Sequence, residues 1–135
     1  MIINDLFVGQ SSSLKRRFTE IDVIRFSEVS GDKNPAHIDE EYAKSSIFKT
    51  RIVHGMLVGS LFSAILGTAL PGVGSIYTYQ SLKFIKPVYF DEEITARVSV
   101  KEIILEKNRV IFDCVAENSS GEVVIVGEAT IMPPK

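Results

Sequence analysis

The stretch from Gly55 to Leu70 constrains the fold of this chain more than any other segment. It contains no charged residue, and a helical projection of it is apolar on nearly every side. It is shorter than the roughly 20 residues that cross a bilayer, and it also carries Ser60, Ser63 and Thr68. We therefore predict a core helix that is buried on every side and that ends before Pro71-Gly72.

Three segments in the second half of the chain alternate between apolar and polar residues with a period of two. They begin at Glu92, Arg109 and Glu122. Short turns at Lys107-Asn108 and at Asn118–Gly121 join them, which predicts an antiparallel meander. A further strand is predicted from Ser75 to Lys86, because this segment is rich in Tyr, Thr, Phe and Ile and ends before Pro87.

The first half of the chain is predicted to be mainly helical. A short strand from Leu14 to Phe18 precedes Thr19, which with Asp22 forms the pattern of a capping box. The helix that starts there is expected to run to about Val29 and to stop at Ser30-Gly31. A second short helix is predicted to begin at Asp39-Glu40-Glu41, since acidic residues suit the positive end of a helix.

A helix that is apolar all round requires an apolar surface that surrounds it. A curved antiparallel sheet wrapped around the helix provides such a surface, and this α+β arrangement is the hot-dog fold. A helix packed between two layers would give the same pattern. The length of 135 residues, with 45% apolar and 24% charged residues, predicts one domain that spans residues 1–135.

Composition also excludes several classes of protein. The net charge is only −2 and the basic residues are scattered, so no nucleic-acid partner is expected. The single cysteine, Cys114, cannot form an intramolecular disulfide or a familiar zinc site, and we expect it to be a small buried side chain. The N-terminus does not have the pattern of a signal peptide, and no membrane association is predicted. The expected location is the reducing cytoplasm.

The segment between the first two helices carries the candidate catalytic groups. Asp32 and His37 are five residues apart on what we predict to be a shaped loop, because Pro35 biases the preceding residue away from helical angles. A carboxylate and an imidazole on one loop could hold and activate a water molecule. Asp32 could equally cap a turn and His37 could start a helix. Asn34 is expected to hold the loop through side-chain to backbone hydrogen bonds.

His54 and Gly55 open the predicted core helix. The first N–H groups of a helix have no internal partner, so the N–H of Gly55 could stabilise a developing oxyanion. A glycine required only for close packing explains the residue equally well. His54 is expected to be structural, with its ring bonded to the backbone. Ser63 lies eight residues after Gly55 on roughly the same helix face, although most core serines bond to their own helix.

Four segments resemble the MaoC-like dehydratases, and in particular their short (R)-specific enoyl-CoA hydratases. Ser30–Asp39 is similar to the hydratase-2 motif, and Arg51–Ser63 to the start of that family's central helix. Leu70–Tyr77 and Pro87–Ala96 match the segments that usually follow. The resemblance covers nearly the whole chain. It implies a hot-dog fold, a homodimer whose two sheets join side by side, and a tunnel for acyl-CoA near the subunit interface.

The resemblance also implies roles for particular residues. Asp32 and His37 would be the catalytic pair, Gly55 would bind the thioester carbonyl, and Ser63 would support the site as a polar residue. The implied reaction is the reversible hydration of a trans-2-enoyl thioester, without a metal or another cofactor. An acyl-thioesterase, a dehydratase acting on acyl carrier protein and a non-catalytic acyl-thioester binding subunit are the alternatives. Fatty-acid oxidation, fatty-acid synthesis and the supply of polyhydroxyalkanoate precursors all fit such a reaction.

Overall fold

Four helices and six strands make up the fold, and the computed structural model describes every residue from Met1 to Lys135. The helices are α1 (Glu20–Ser30), α2 (Pro35–Ile38), α3 (Glu40–Lys44) and α4 (Gly55–Thr68). The strands are β1 (Ser11–Arg17), β2 (Ile76–Gln80), β3 (Lys83–Phe84), β4 (Glu93–Ile104), β5 (Arg109–Glu117) and β6 (Val123–Met132). Single 3₁₀ turns precede β1 and connect β4 to β5.

The six strands form one antiparallel sheet in the order β1-β4-β5-β6-β2, and β3 pairs with β6 beside β2. The predicted meander of β4, β5 and β6 is confirmed. Successive side chains of a strand point to opposite faces, so the apolar half of each alternating segment is buried. On β4 and β5 the buried set is Ile94, Ala96, Val98, Val100, Val110, Phe112, Cys114 and Ala116. The burial predicted for Cys114 is therefore confirmed.

Helix α4 packs against β4 and β1, which confirms the predicted hot-dog arrangement of an antiparallel sheet on a central helix. Its core side chains are Val58, Leu61, Phe62, Ile65 and Leu66. The prediction of burial on every side was wrong, because the sheet covers only part of the helix surface. The side chains of Met56, Ser60, Ser63 and Ala64 lie on an exposed face. No helix of the structure has the length and apolar character needed to span a membrane.

The capping box predicted for α1 is confirmed. The backbone N–H of Asp22 donates to Thr19 Oγ1 at 3.3 Å, and the N–H of Thr19 donates to the Asp22 carboxylate at 2.9 Å. Gly31 ends the helix in the left-handed conformation with φ of 80°, which glycine adopts without strain. The preceding strand, Ser11–Arg17, begins earlier than predicted and does not include Phe18.

The single strand predicted from Ser75 to Lys86 is two short strands, β2 and β3, in the structure. The strand is interrupted at Ser81. The N–H of Ser81 donates to the Glu128 carbonyl at 2.9 Å, and its hydroxyl accepts from the Glu128 N–H at 3.0 Å. The Ser81 carbonyl then approaches β6 so closely that a Cβ atom on Gly127 would lie 1.9 Å from its oxygen. Only glycine fits opposite this break.

Gly127→Ala should therefore destabilise the protein, because its methyl group requires the backbone of Ser81 or of β6 to move. We expect a loss of about 1–3 kcal/mol in the free energy of unfolding, as for other overpacked sites. Gly67→Ala is the control, since no atom outside its chain neighbours and the surrounding helix backbone lies within 4 Å of its Cβ position and alanine favours a helix. Urea denaturation of both variants tests this, and equal stability of Gly127→Ala and wild type would contradict the close approach.

Candidate active site

A cavity of about 380 Å³ lies where the segment after α1 meets the first turn of α4 and the chain from β3 to Val88. Most of its wall is apolar. The apolar part includes Phe48, Ile52, Val58, Phe84, Val88 and Ile125. Asp32, His37, His54 and Gly55 contribute to the wall as well. The cavity thus joins a mainly apolar lining to a small group of polar side chains, which is the usual composition of a ligand site.

The predicted loop from Asp32 to His37 contains a short helix, α2, which begins at Pro35. Asn34 is its N-cap and accepts a hydrogen bond from the Ala36 N–H at 3.1 Å, which confirms the predicted role of Asn34 in holding the backbone. Proline suits the first helical position because that N–H would have no partner. The interpretation as a loop without helix was therefore wrong for Pro35–Ile38. Asp32 lies before this helix, and its Oδ1 accepts from the Asn34 N–H at 3.2 Å.

His37 is oriented by the main chain of the segment before α4. Its Nδ1 lies 2.8 Å from the carbonyl oxygen of Ile52. A carbonyl oxygen only accepts hydrogen bonds, so Nδ1 carries a proton, and in the neutral imidazole Nε2 then has a free lone pair. The side chains of Asp32 and His37 form no hydrogen bond with each other, but their polar atoms lie within 4.8 Å. One water molecule can donate to both, because each such bond has a length of about 2.8 Å.

His54 is 1% exposed and contacts both members of this pair. Its Nε2 lies 3.1 Å from the main-chain carbonyl oxygen of Asp32 and 3.1 Å from Ser27 Oγ. Its ring stacks on that of His37, with centroids 3.8 Å apart. The prediction that the ring of His54 is bonded to the backbone is confirmed. Burial lowers the pKa of His54 below its ordinary value, and the neighbouring His37 lowers it further, against the opposing effect of Asp32.

Asp32, His37 and His54 have the residue types of a metal site, and their ligand atoms lie within 4.8 Å of one another. The two imidazole planes are only 26° apart in the stack, so their nitrogen lone pairs do not converge on a common point. The Asp32 carbonyl also requires the proton of His54 on Nε2. This arrangement suits the movement of protons better than the tetrahedral binding of a metal ion.

Gly55 is the first residue of α4, and its N–H faces no acceptor within the helix. A Cβ atom at this position would lie 2.6 Å from two ring carbons of Phe84. The structure therefore supports close packing as a reason for this glycine, and the oxyanion role stays a prediction. Ser63 does not line the cavity and lies on the exposed face of α4. The structure thus brings together all the predicted site residues except Ser63.

Two contributors to the site were not predicted from the sequence. Ser27 is 3% exposed and lies on the buried side of α1, four residues after Val23, where its hydroxyl meets His54. The sequence signal that could have found it is a serine at helical spacing from the buried apolar residues of α1, because such a position predicts a buried hydroxyl. The second is the main-chain carbonyl of Ile52, which determines the tautomer of His37. No sequence pattern reports the direction of a carbonyl group.

Comparison with known proteins places the chain in a family. The family described as "MaoC like domain" matches residues 8–120. An (R)-specific enoyl-CoA hydratase of Rhodospirillum rubrum is 48% identical over 130 residues, which are 96% of this chain and 90% of that protein. A 3-hydroxybutyryl-CoA dehydratase of Methylorubrum extorquens is 40% identical over 135 residues, which are 100% of this chain and 85% of that protein.

The solved structures agree with this. The (R)-hydratase of Aeromonas caviae, described as involved in PHA biosynthesis, superposes with a TM-score of 0.93 at 41% identity. The match covers 96% of this chain and 98% of that one. The likeness therefore extends over the sheet, the central helix and the segment that carries Asp32 and His37. The chain belongs to the MaoC-like dehydratase family.

Proposed function

We propose that this protein is an (R)-specific enoyl-CoA hydratase, which adds water reversibly to a trans-2-enoyl-CoA. The observation that carries the proposal is the spacing of Asp32 and His37. Their polar atoms lie within 4.8 Å at the wall of a mainly apolar cavity, where one water molecule can contact both. The proposal is supported by the names of two relatives, a hydratase and a dehydratase, because hydration and dehydration are the two directions of one reversible reaction.

Asp32 and His37 act as acceptors for the two protons of the water molecule. The carboxylate of Asp32 is the proposed base, and the free Nε2 of His37 orients the second O–H bond. The water oxygen attacks the β carbon, and the π electrons of the double bond move towards the thioester carbonyl. A proton held by the pair then passes to the α carbon. General acid–base catalysis of this kind needs no metal or redox cofactor.

The start of α4 is proposed to stabilise the enolate oxygen. Gly55 lines the cavity, its N–H has no acceptor within the helix, and the positive end of the helix dipole lies there too. Such donors act on the charge that develops in the transition state, so they accelerate the reaction. Ser63 is proposed only as a supporting polar residue of the assembled homodimer. It lies on the exposed face of α4 and does not line the cavity within one chain.

The cytoplasm is the proposed location, and an acyl-CoA is the proposed substrate. The relative from Aeromonas caviae, described as involved in PHA biosynthesis, supports the supply of a polyhydroxyalkanoate precursor as the use of the product. Fatty-acid metabolism would supply the enoyl-CoA substrate. A dehydratase of acyl carrier protein would use the same pair, so the test must include both carriers.

The test of the function follows the loss of the enoyl-thioester absorbance with crotonyl-CoA and with the matching crotonyl-acyl carrier protein. The expected product is (R)-3-hydroxybutyryl-CoA, which a dehydrogenase specific for the (S) form does not oxidise. Asp32→Asn and His37→Gln should each lower kcat by about 100- to 10,000-fold, because each removes a proton acceptor at nearly constant size. Circular dichroism checks that both variants fold.

Asp113→Asn is the matched control, because Asp113 is exposed on β5 and does not line the cavity. It should retain the wild-type rate. Release of free thiol from butyryl-CoA would instead favour a thioesterase, and binding without turnover would favour a non-catalytic subunit. Wild-type turnover by either site variant would refute the assignment of the pair.

We also propose that the protein forms a homodimer through the edge of the sheet at β2. Edge strands present unpaired N–H and C=O groups, which invite pairing with another strand. Around this edge several large apolar side chains are exposed, at 38% to 54% of their surface. They are Ile76, Tyr77, Tyr79, Phe84 and Ile85. Since Phe84 also lines the cavity, a second copy at this edge would cover the cavity wall.

Sedimentation velocity at micromolar concentration should therefore report a dimer. Introducing charge at the edge with Ile76→Lys and Tyr79→Lys together should shift the protein to the monomer and lower its hydratase activity. Leu105→Lys is the control, because Leu105 is an exposed leucine at 62% in the turn after β4, away from this edge. A fully active wild-type monomer would contradict the proposal.

A further inference from the structure

We propose that His54 is a positioning residue that sets the distance between Asp32 and His37, acting as a neutral imidazole with its proton on Nε2. This inference rests on the proposed function, since it concerns the pair that is proposed to hold the water. It adds a third side chain, which acts through the other two without taking part in proton transfer itself.

The contacts of His54 reach the two residues of the pair in different ways. Its Nε2 is 3.1 Å from the main-chain carbonyl oxygen of Asp32, so a hydrogen bond holds the backbone from which the carboxylate extends. Its ring face lies against the ring of His37 at 3.8 Å. The ring of Phe26 packs against the imidazole at an interplanar angle of 61°, with the ring centroids 4.8 Å apart, and restricts its rotation. One side chain thus contacts both residues of the pair, at the main chain of Asp32 and at the ring of His37.

Ser27 provides the second acceptor for the same N–H. Its oxygen lies 3.1 Å from Nε2, and the residue is 3% exposed. The hydrogen atom on Nε2 therefore joins α1, the segment before α2 and the residue that precedes α4. A displacement of the imidazole would therefore change the distance between Asp32 and His37. A misplacement of about 1 Å at a reacting centre can lower the rate about 100-fold.

The tautomers of the two histidines are opposite. The Ile52 carbonyl requires the proton of His37 on Nδ1, whereas the Asp32 carbonyl requires the proton of His54 on Nε2. His37 and Asp32 are the titratable groups that act on His54, and Ser27 and Phe26 approach it from α1. A cationic His54 would oppose a positive charge on the stacked His37. A neutral His54 leaves His37 able to gain a proton during turnover.

Two variants separate the hydrogen bond from the stacking. His54→Phe keeps an aromatic ring of similar size and removes the donor, whereas His54→Gln keeps an N–H donor near the position of Nε2 and removes the ring. We expect His54→Phe to lower kcat with crotonyl-CoA by about 30- to 100-fold, the scale of a misplaced catalytic group. KM should stay within about twofold, because His54 is only 1% exposed and is proposed to act through Asp32 and His37, and His54→Gln should recover most of kcat.

A wild-type kcat for folded His54→Phe would overturn the proposal, and so would an equal loss in both variants, because the N–H donor that His54→Gln keeps would then have no effect. Nuclear magnetic resonance of the wild-type protein provides a test that needs no variant and no activity. The chain has only two histidines, so long-range ¹H–¹⁵N correlations can be assigned with one His37→Gln spectrum.

The expected spectrum shows His37 protonated on Nδ1 and His54 protonated on Nε2, with less of the cationic form of His54 at pH 6.5 than the roughly half expected of a free imidazole. A neutral His54 with its proton on Nδ1, or a His54 that is more protonated at that pH than a free imidazole, would overturn the proposal. Absence of hydration by the wild-type protein would refute the proposed function, whereas the spectrum would still test the geometry of His54. The two failures are therefore distinguishable.

Discussion

The burial of α4 is the constraint on which the rest of the structure depends. A helix with no charged side chain from Gly55 to Thr68 is stable in water only if another surface covers its apolar residues. Side chains such as Phe62 and Leu66 are fully buried, and each contributes about 1.5–3 kcal/mol by leaving water. Because the sheet determines the position of α4, it also determines where the free N–H groups of the first turn lie. The cavity is built at this end of the helix.

The parts of the fold that were predicted from the sequence depend on local patterns. The alternation along β4 and β5 follows from the geometry of a strand, and the capping box at Thr19 and Asp22 follows from the four unpaired N–H groups of a helix start. Asp32 and His37 were expected to converge because they are close in sequence. These signals do not depend on the position of distant segments, so one sequence is sufficient to recognise them.

The parts that were not predicted depend on contacts between distant residues. The break at Ser81 arises from β6, where Gly127 allows a backbone to approach. Ser63 was expected to share the site with Gly55, but eight residues of helix rotate the side chain by about 80° and move it about 12 Å along the axis. The proximity of Ser27 to His54 results from the packing of α1, because the two are 27 positions apart in the chain.

Both imidazoles of the site are oriented by main-chain carbonyl groups, those of Ile52 and Asp32. Every amino acid carries a carbonyl group, so a substitution at position 52 would change the side chain and leave the acceptor in place. The path of the backbone therefore determines which nitrogen of each histidine carries the proton. Sequences of this family can diverge at such a position while the same nitrogen of His37 stays available, provided that the backbone keeps its course.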